Sequence, residues 1–377
     1  MISALYIHIP FCKSKCNYCS FSSYCGLEAI HERYTNCLVK ELQDKAKHYG
    51  ERVRLSTIFF GGGTPTVLGG GQLEKILAAC KNNFRLDDTL EISVEVNPGT
   101  VDTQRLCDLY NAGFNRLSIG VQSFIDSELQ FLGRCHTASE AIATVASAKA
   151  AGFLNWSIDL MYGIPGQSLD DWKYNLETGL SLQPKHLSLY QLSFEEGTPL
   201  YHRKKKGYIE ELGDETVLSM DKYNQEATLH AGSKRYEISN YCQPGYECRH
   251  NVTYWHNKDY LAVGAAAVSF IAGFREQRVQ DPALYCDLIE KRKDVVAYRE
   301  QLGLEASFRE TVMMGMRMTE GISPKELAER FGIDLQQYYG KILIPLLTAG
   351  FVEFTPTRFR ATQKGRLVLN SVLAELI

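Results

Sequence analysis

Six short apolar runs recur along the first half of this 377-residue chain, at residues 4–9, 57–60, 91–96, 116–121, 157–161 and 186–192. Each reads as a β-strand. Between them, residues 28–47, 72–83, 103–112, 139–151 and 169–182 carry apolar side chains at helical spacing. Strand–helix alternation of this kind predicts a parallel sheet with outer helices. Six units are too few for a full eight-stranded barrel and suit an open one, a partial (β/α)6 barrel of the TIM type.

After about Pro199 the alternation stops. The basic run Arg203-Lys204-Lys205-Lys206 reads as a solvated turn, residues 213–233 as a helix, and residues 235–273 as mixed strands, aromatics and glycines. The longest apolar stretch, 261–274, falls short of the roughly 20 residues a membrane-spanning helix needs, and it contains Gly264 and Gly273. It predicts a buried strand or turn. From about Glu305 the pattern gives a helix over 308–318, a turn at Gly321-Ile322-Ser323-Pro324, and a short helix over 324–331 with Ser323 as N-cap. A longer helix over 335–349, a hairpin over 351–360 and a last helix over 364–376 follow. Helix–turn–helix then hairpin is a winged-helix pattern. Its second helix has Lys341 among Ile342, Leu343, Ile344, Leu346 and Leu347, whereas a DNA reader needs polar and basic side chains there. A packing or partner-docking module fits better. The organisation predicted is a barrel over 1–200, an extension over 201–300, and a winged-helix-like α+β domain over 301–377.

A net charge of −3 speaks against broad electrostatic capture of nucleic acid. The eleven cysteines are odd in number and irregularly spaced, and the chain opens on a strand instead of a signal peptide. A cytoplasmic protein with reduced thiols is expected.

The distinctive chemistry collects where the strands end, the active-site face of an α/β barrel. After the first strand come Cys12, Cys16 and Cys19, spaced C-x3-C-x2-C. Three thiolates on one loop can hold three corners of a cubane 4Fe–4S cluster, which normally takes four cysteines. The fourth iron is then free for a small molecule, and this spacing is the signature of radical S-adenosylmethionine (SAM) enzymes. A structural zinc site would show a second ligand pair, which does not follow here. Gly61-Gly62-Gly63-Thr64 ends the second strand and lets backbone groups approach a ligand closely. Tyr18 could lay its ring on an adenine, and Tyr6 could lie under the cluster. Glu95 and Asp159 sit inside apolar strands, where a carboxylate is costly unless paired or facing a polar site. Gln122 and Arg134 lie at or beyond strand ends, and an arginine fork suits a carboxylate. His8 reads as a core histidine.

These motifs carry a resemblance. Tyr6-Ile-His-Ile-Pro-Phe-Cys12, Gly61-Gly-Gly-Thr-Pro-Thr66, Glu95-Val-Asn-Pro98, Gly120-Val-Gln-Ser-Phe124 and Ile158-Asp-Leu-Met-Tyr-Gly-Ile-Pro-Gly-Gln167 resemble the radical-SAM proteins related to oxygen-independent coproporphyrinogen III oxidase. Tyr236-Glu-Ile-Ser-Asn-Tyr241 and His250-Asn-Val-Thr-Tyr-Trp255 resemble the heme-chaperone (HemW-type) branch. The resemblance implies cluster ligation by Cys12, Cys16 and Cys19. It also implies a SAM site lined by Tyr6, Tyr18, Gly62, Gly63, Thr64, Glu95, Gln122, Arg134 and Asp159, with Ser193 a weaker match. Heme is the third implied cofactor. Heme-acceptor proteins, membrane-associated ones among them, and an electron donor such as a flavodoxin or ferredoxin are the implied partners. The oxidase has a further cysteine where this chain has Phe21, and an N-terminal extension that this chain lacks. Both departures favour heme delivery over the alternative, a radical-SAM enzyme of tetrapyrrole metabolism. His250, among aromatic residues, is a candidate axial ligand; the alternative is that His250 and Asn251 tie the extension to the barrel.

Overall fold

In the computed structural model, which describes residues 1–376, six parallel strands stand side by side in chain order. They are β1 (Ile2–Ile9), β2 (Val53–Gly62), β3 (Arg85–Val96), β4 (Arg116–Gln122), β5 (Trp156–Tyr162) and β6 (His186–Gln191). Helices α1 (His31–Tyr49), α2 (Gln72–Asn83), α3 (Thr103–Ala112), α4 (Asp126–Leu132), α5 (Ala138–Ala150) and α6 (Leu169–Ser181) connect them. This is the expected partial barrel. One face of each strand packs on the helices through a continuous apolar core that includes Ile7, Phe60, Val94, Leu117, Ile158 and Leu187. The alternate positions face the lumen, because side chains switch faces at every residue. In register there, Ser93 pairs with Arg116, Glu95 with Ser118, Ser157 with His186 and Asp159 with Ser188. The lumen is therefore polar.

Later chain covers both sheet edges. Helices α7 (Pro199–Lys205) and α8 (Asp214–His230) lead to β7 (Lys234–Arg235) and β8 (Asn240–Cys242), and β8 pairs antiparallel with β6. Helix α9 (Arg249–Trp255) precedes β9 (Tyr260–Val263), which pairs parallel with β1. Then β10 (Val268–Ile271), β11 (Phe274–Arg278) and β12 (Val296–Gln301) extend that side as antiparallel strands, with α10 (Pro282–Glu290) between the last two. The sheet has twelve strands in all.

A smaller α+β unit follows, with its own core around Phe308, Leu335 and Phe359. It comprises α11 (Leu304–Gly315), α12 (Pro324–Phe331), α13 (Leu335–Tyr339), α14 (Leu343–Thr348), the hairpin β13 (Val352–Phe354) and β14 (Phe359–Ala361), and α15 (Gln363–Leu367) and α16 (Leu369–Ala374). Ser323 caps α12 as expected, accepting the Glu326 N–H at 3.3 Å. Three expectations are corrected. The helix expected over 335–349 breaks at Gly340, whose φ of 47° is left-handed. The last helix kinks at Val368. The basic run at 203–206 ends helix α7 instead of forming a turn. Thr198 caps that helix, and the Arg203 guanidinium and Lys204 ammonium sit over the rings of Phe131 and Phe194. Among the described residues no helix is long and apolar enough to cross a membrane.

One buried ion pair fastens the added strands to the barrel. Arg278 of β11 is 0% exposed and donates to Glu41 of α1 at 2.9 Å. The other Glu41 oxygen accepts from Tyr285 at 2.6 Å and from the Gly264 N–H at 2.9 Å. Glu41→Gln should cost about 3–5 kcal/mol in urea unfolding, because it strands a buried charge. Replacing both Glu41 and Arg278 with Met should recover most of that loss; an equally unstable double variant would show that the charge is not what matters.

Candidate functional site

The loop that leaves β1 is pinned on three sides. Its start pairs with its end, through Cys12 N–H to Tyr24 O at 2.9 Å and Tyr24 N–H to Pro10 O at 2.7 Å. Its middle is held by Asn17, whose backbone N–H reaches Leu132 O and whose side chain reaches Phe131 O, both at 2.9 Å. From below, His8 Nε2 lies 3.0 Å from Ser22 O, while its Nδ1 meets the Tyr6 hydroxyl at 3.0 Å. His8 is buried as expected, and it also ties the strand to the loop.

The glycine run presses against this loop. Gly63 donates to Ile9 O at 2.9 Å, and a Cβ there would fall 2.5 Å from Phe11 O and 2.9 Å from Cys12 Sγ. Gly62 has φ 119° and leaves no room for a Cβ above the His8 ring. Its N–H donates to Glu95 Oε2 at 3.1 Å. Thr64 donates to Cys12 Sγ at 3.6 Å and accepts from Asn97 Nδ2 at 2.6 Å. Asn97 Oδ1 in turn accepts from Arg134 at 2.6 Å. Arg134 also donates to Gly120 O at 2.8 Å and to Cys16 Sγ at 3.5 Å, and its Nε is buried without a partner. A short chain of polar contacts thus links two of the three cysteines. Gln122 takes φ 69° where the β4–β5 register slips, which re-aims its side chain at the strand end.

All three cysteines are free thiols. With Tyr18, Gly62, Gly63, Thr64, Glu95, Gln122, Arg134, Asp159 and Ser193 they line one cavity of about 530 Å³. Among the described residues no three His, Cys, Asp or Glu side chains are grouped as a site for one metal ion; the three thiols share the cavity lining. The residue types suit a cluster and SAM together. There are thiols for iron, a guanidinium with a spare buried N–H for a carboxylate, and two carboxyls for hydroxyl groups.

Two expected residues lie elsewhere. Tyr6 and His250 line a second cavity of about 260 Å³ in the lumen, whose wall shares Glu95, Ser118, Asp159 and Tyr190 with the first. Tyr6 thus reaches the thiol loop only through His8. His250 is 1% exposed and both ring nitrogens are engaged, Nδ1 with Thr57 at 2.8 Å and Nε2 with Tyr254 at 2.8 Å. Burial, and then the nearby Arg116, lowers its pKa to about 3. Of the two roles left open for His250, the geometry favours the tie between extension and barrel. Sequence reasoning missed Asn97, Arg116 and His186. Asn97 was visible only within the Glu95-Val-Asn-Pro98 motif; the other two begin strands that read as apolar.

The radical SAM superfamily pattern matches residues 6–178, and the HemN C-terminal domain matches residues 304–368. Heme chaperone HemW of Bacillus subtilis is 34% identical over 377 residues, covering 100% of this chain and 99% of that protein. The Escherichia coli heme chaperone HemW is 33% identical, covering 98% of this chain and 97% of its own length. Among solved structures, coproporphyrinogen III oxidase (HemN) of Escherichia coli superposes with a TM-score of 0.86 at 22% identity, over 100% of this chain and 90% of that one. That likeness concerns the fold. The chain belongs to the HemW-type branch of the radical SAM superfamily.

Burial, and then the Asp159 carboxyl, pushes the Glu95 pKa up to about 8, against 4.5 for an ordinary glutamate. The folded protein therefore holds a proton that the unfolded chain releases between those values. Stability from this group is present below about pH 4.5 and is lost as pH rises through about 8. Melting of the ligand-free protein should show this fall with pH, and Glu95→Gln should flatten it; parallel profiles would place the Glu95 proton elsewhere.

Proposed function

We propose that this chain is a cytoplasmic heme chaperone that carries a 4Fe–4S cluster and SAM, binds heme intact and passes it to acceptor proteins. The observation that carries the reading is the convergence of the three thiols, the glycine run and Arg134 on one cavity, in a chain collinear with proteins named heme chaperones. Cys12, Cys16 and Cys19 would hold the cluster. When bound, such a cluster supplies one-electron chemistry to SAM, fed by a flavodoxin- or ferredoxin-like donor. Arg134 would meet the methionine carboxylate. Glu95 and Asp159 would take the ribose hydroxyls, Tyr18 the adenine, and Gly62, Gly63, Thr64 and Gln122 the remaining polar edges. Tyr6 acts through His8, which supports both the glycine run and the loop.

Losing one charge-assisted hydrogen bond costs about 1.5–3 kcal/mol, roughly ten- to a hundred-fold in affinity. Anaerobic calorimetry on cluster-loaded protein should show that loss for Arg134→Ala and for Asp159→Asn. Wild-type affinity in both variants would make them structural residues.

For heme, an open imidazole is what an axial ligand needs. On the segment after the barrel, His256 comes nearest to one, with Nε2 3.7 Å from Glu320 Oε1 and no side-chain hydrogen bond among the described residues. Its side chain is 27% exposed and lines a cleft of about 330 Å³ with Trp255, whose indole N–H has no partner. Heme titration followed by Soret absorbance should give one exchangeable heme, lost in His256→Ala and retained in His250→Ala wherever that variant keeps its fold. A macrocycle recovered chemically altered after anaerobic incubation with SAM and reductant would replace the chaperone with an enzyme.

A further inference from the structure

The lumen beneath the thiol cavity contains a charge that the proposed function does not use. Arg116 opens β4, is 2% exposed, and lines the 260 Å³ compartment. Its Nε is buried with no hydrogen-bond partner, and no described carboxylate forms an ion pair with it. Glu91, one of the nearest acids, spends its oxygens on the N-terminus of α9, accepting from Arg249 N–H at 3.1 Å and His250 N–H at 3.2 Å. Asp159 accepts from Ser118 at 3.1 and 3.3 Å. Glu91 and Asp159 therefore act on Arg116 through space only, and its buried Nε–H keeps no hydrogen-bond partner among the described residues, which is costly.

A second donor lines the same compartment. His186 is 1% exposed, and its Nε2 lies 2.8 Å from the Tyr236 hydroxyl. That hydroxyl accepts the Cys248 N–H at 3.3 Å and meets no other acceptor among the described residues, so its own proton goes to Nε2. A neutral ring must then carry its hydrogen on Nδ1, which has no partner. Burial, and then Arg116, holds the ring well below its ordinary pKa and so neutral. Hydroxyls of Ser188 and Tyr190 complete the wall.

We infer that this compartment is a binding site for a small monocarboxylate, held side-on by the Arg116 guanidinium and by His186 Nδ1–H. A planar carboxylate matches the fork of an arginine with two parallel hydrogen bonds. A planar monoanion needs only the one positive charge that Arg116 supplies, which favours it over sulfate or phosphate.

The test uses the full chain in a carboxylate-free buffer at constant ionic strength, with 13C-formate as the probe. Formate should bind at one saturable site by NMR and raise the melting temperature. Arg116→Leu should abolish binding. His186→Phe keeps an aromatic ring but deletes the Nδ1–H donor together with the Nε2 acceptor of the Tyr236 hydroxyl; Tyr236→Phe, which removes only the latter contact, is its control, and the pair carries the test if Arg116→Leu fails to fold. Against that control, His186→Phe should weaken formate roughly tenfold, the worth of one hydrogen bond to a charged group. Unchanged formate affinity in His186→Phe overturns the site. So does a wild-type thermal shift that chloride or sulfate reproduces at equal ionic strength. Neither arm needs the cluster, SAM or heme, so failure here and failure of the chaperone reading are separate outcomes.

Discussion

An incomplete barrel has two open edges and an unclosed floor, and most of the chain after β6 answers that constraint. Unpaired strand edges expose backbone donors and acceptors that bind other strands. Here β9 covers the free side of β1, and β8 covers the free side of β6. Helix α9 lies against the lumen from below. Glu91 holds its first two N–H groups, and His250 reaches Thr57 on β2. The Arg278–Glu41 pair then ties the far strands to α1, so β1 becomes a central strand although it comes first in the chain.

That central placement is what makes the thiol loop rigid. The loop leaves a strand paired on both sides, and its closure depends on contacts drawn from four strands. His8 rises from β1, Gly63 follows β2, Asn97 follows β3, and Arg134, just after α4, bonds the Gly120 carbonyl of β4. Side chains fixed by such neighbours lose little entropy when a ligand arrives, the general requirement for a preorganised site. The register slip that turns Gln122 inward belongs to the same logic, with local backbone irregularity placed where a side chain must be re-aimed.

The barrel units were legible in the sequence because burial on both faces writes itself as short apolar runs, and because helices of ten residues or more show their period. Helices α2 and α3 fall where the spacing put them. The cavity was legible for a different reason: thiols, glycines and in-strand carboxyls are out of place in a core unless they face a site. Seven-residue α4 was missed, being barely two turns and too short to display a period. The edge strands β7 to β12 are short or mixed in polarity, and nothing local says which edge they join. Arg116 stood unremarked at the head of the apolar run 116–121. Only the strand register reveals that it points into the lumen opposite Ser93. His250 was singled out correctly as unusual, but a sequence cannot tell an open imidazole from one whose two nitrogens are already spent.

The two cavities share a wall, and that has an electrostatic consequence. Glu95 and Asp159 face both, and both are pushed toward their neutral forms, first of all by burial. A ligand in the upper cavity that donates hydrogen bonds to these carboxyls favours their charged forms. New negative charge on the shared wall then draws on Arg116 from above and weakens its hold on an anion below. By linkage the effect is reciprocal: an anion on Arg116 raises the cost of ionising Glu95 and so penalises the upper ligand. Occupancy of the upper cavity can therefore be set against the lumen without any movement of the backbone, through two carboxyls that belong to neither compartment alone.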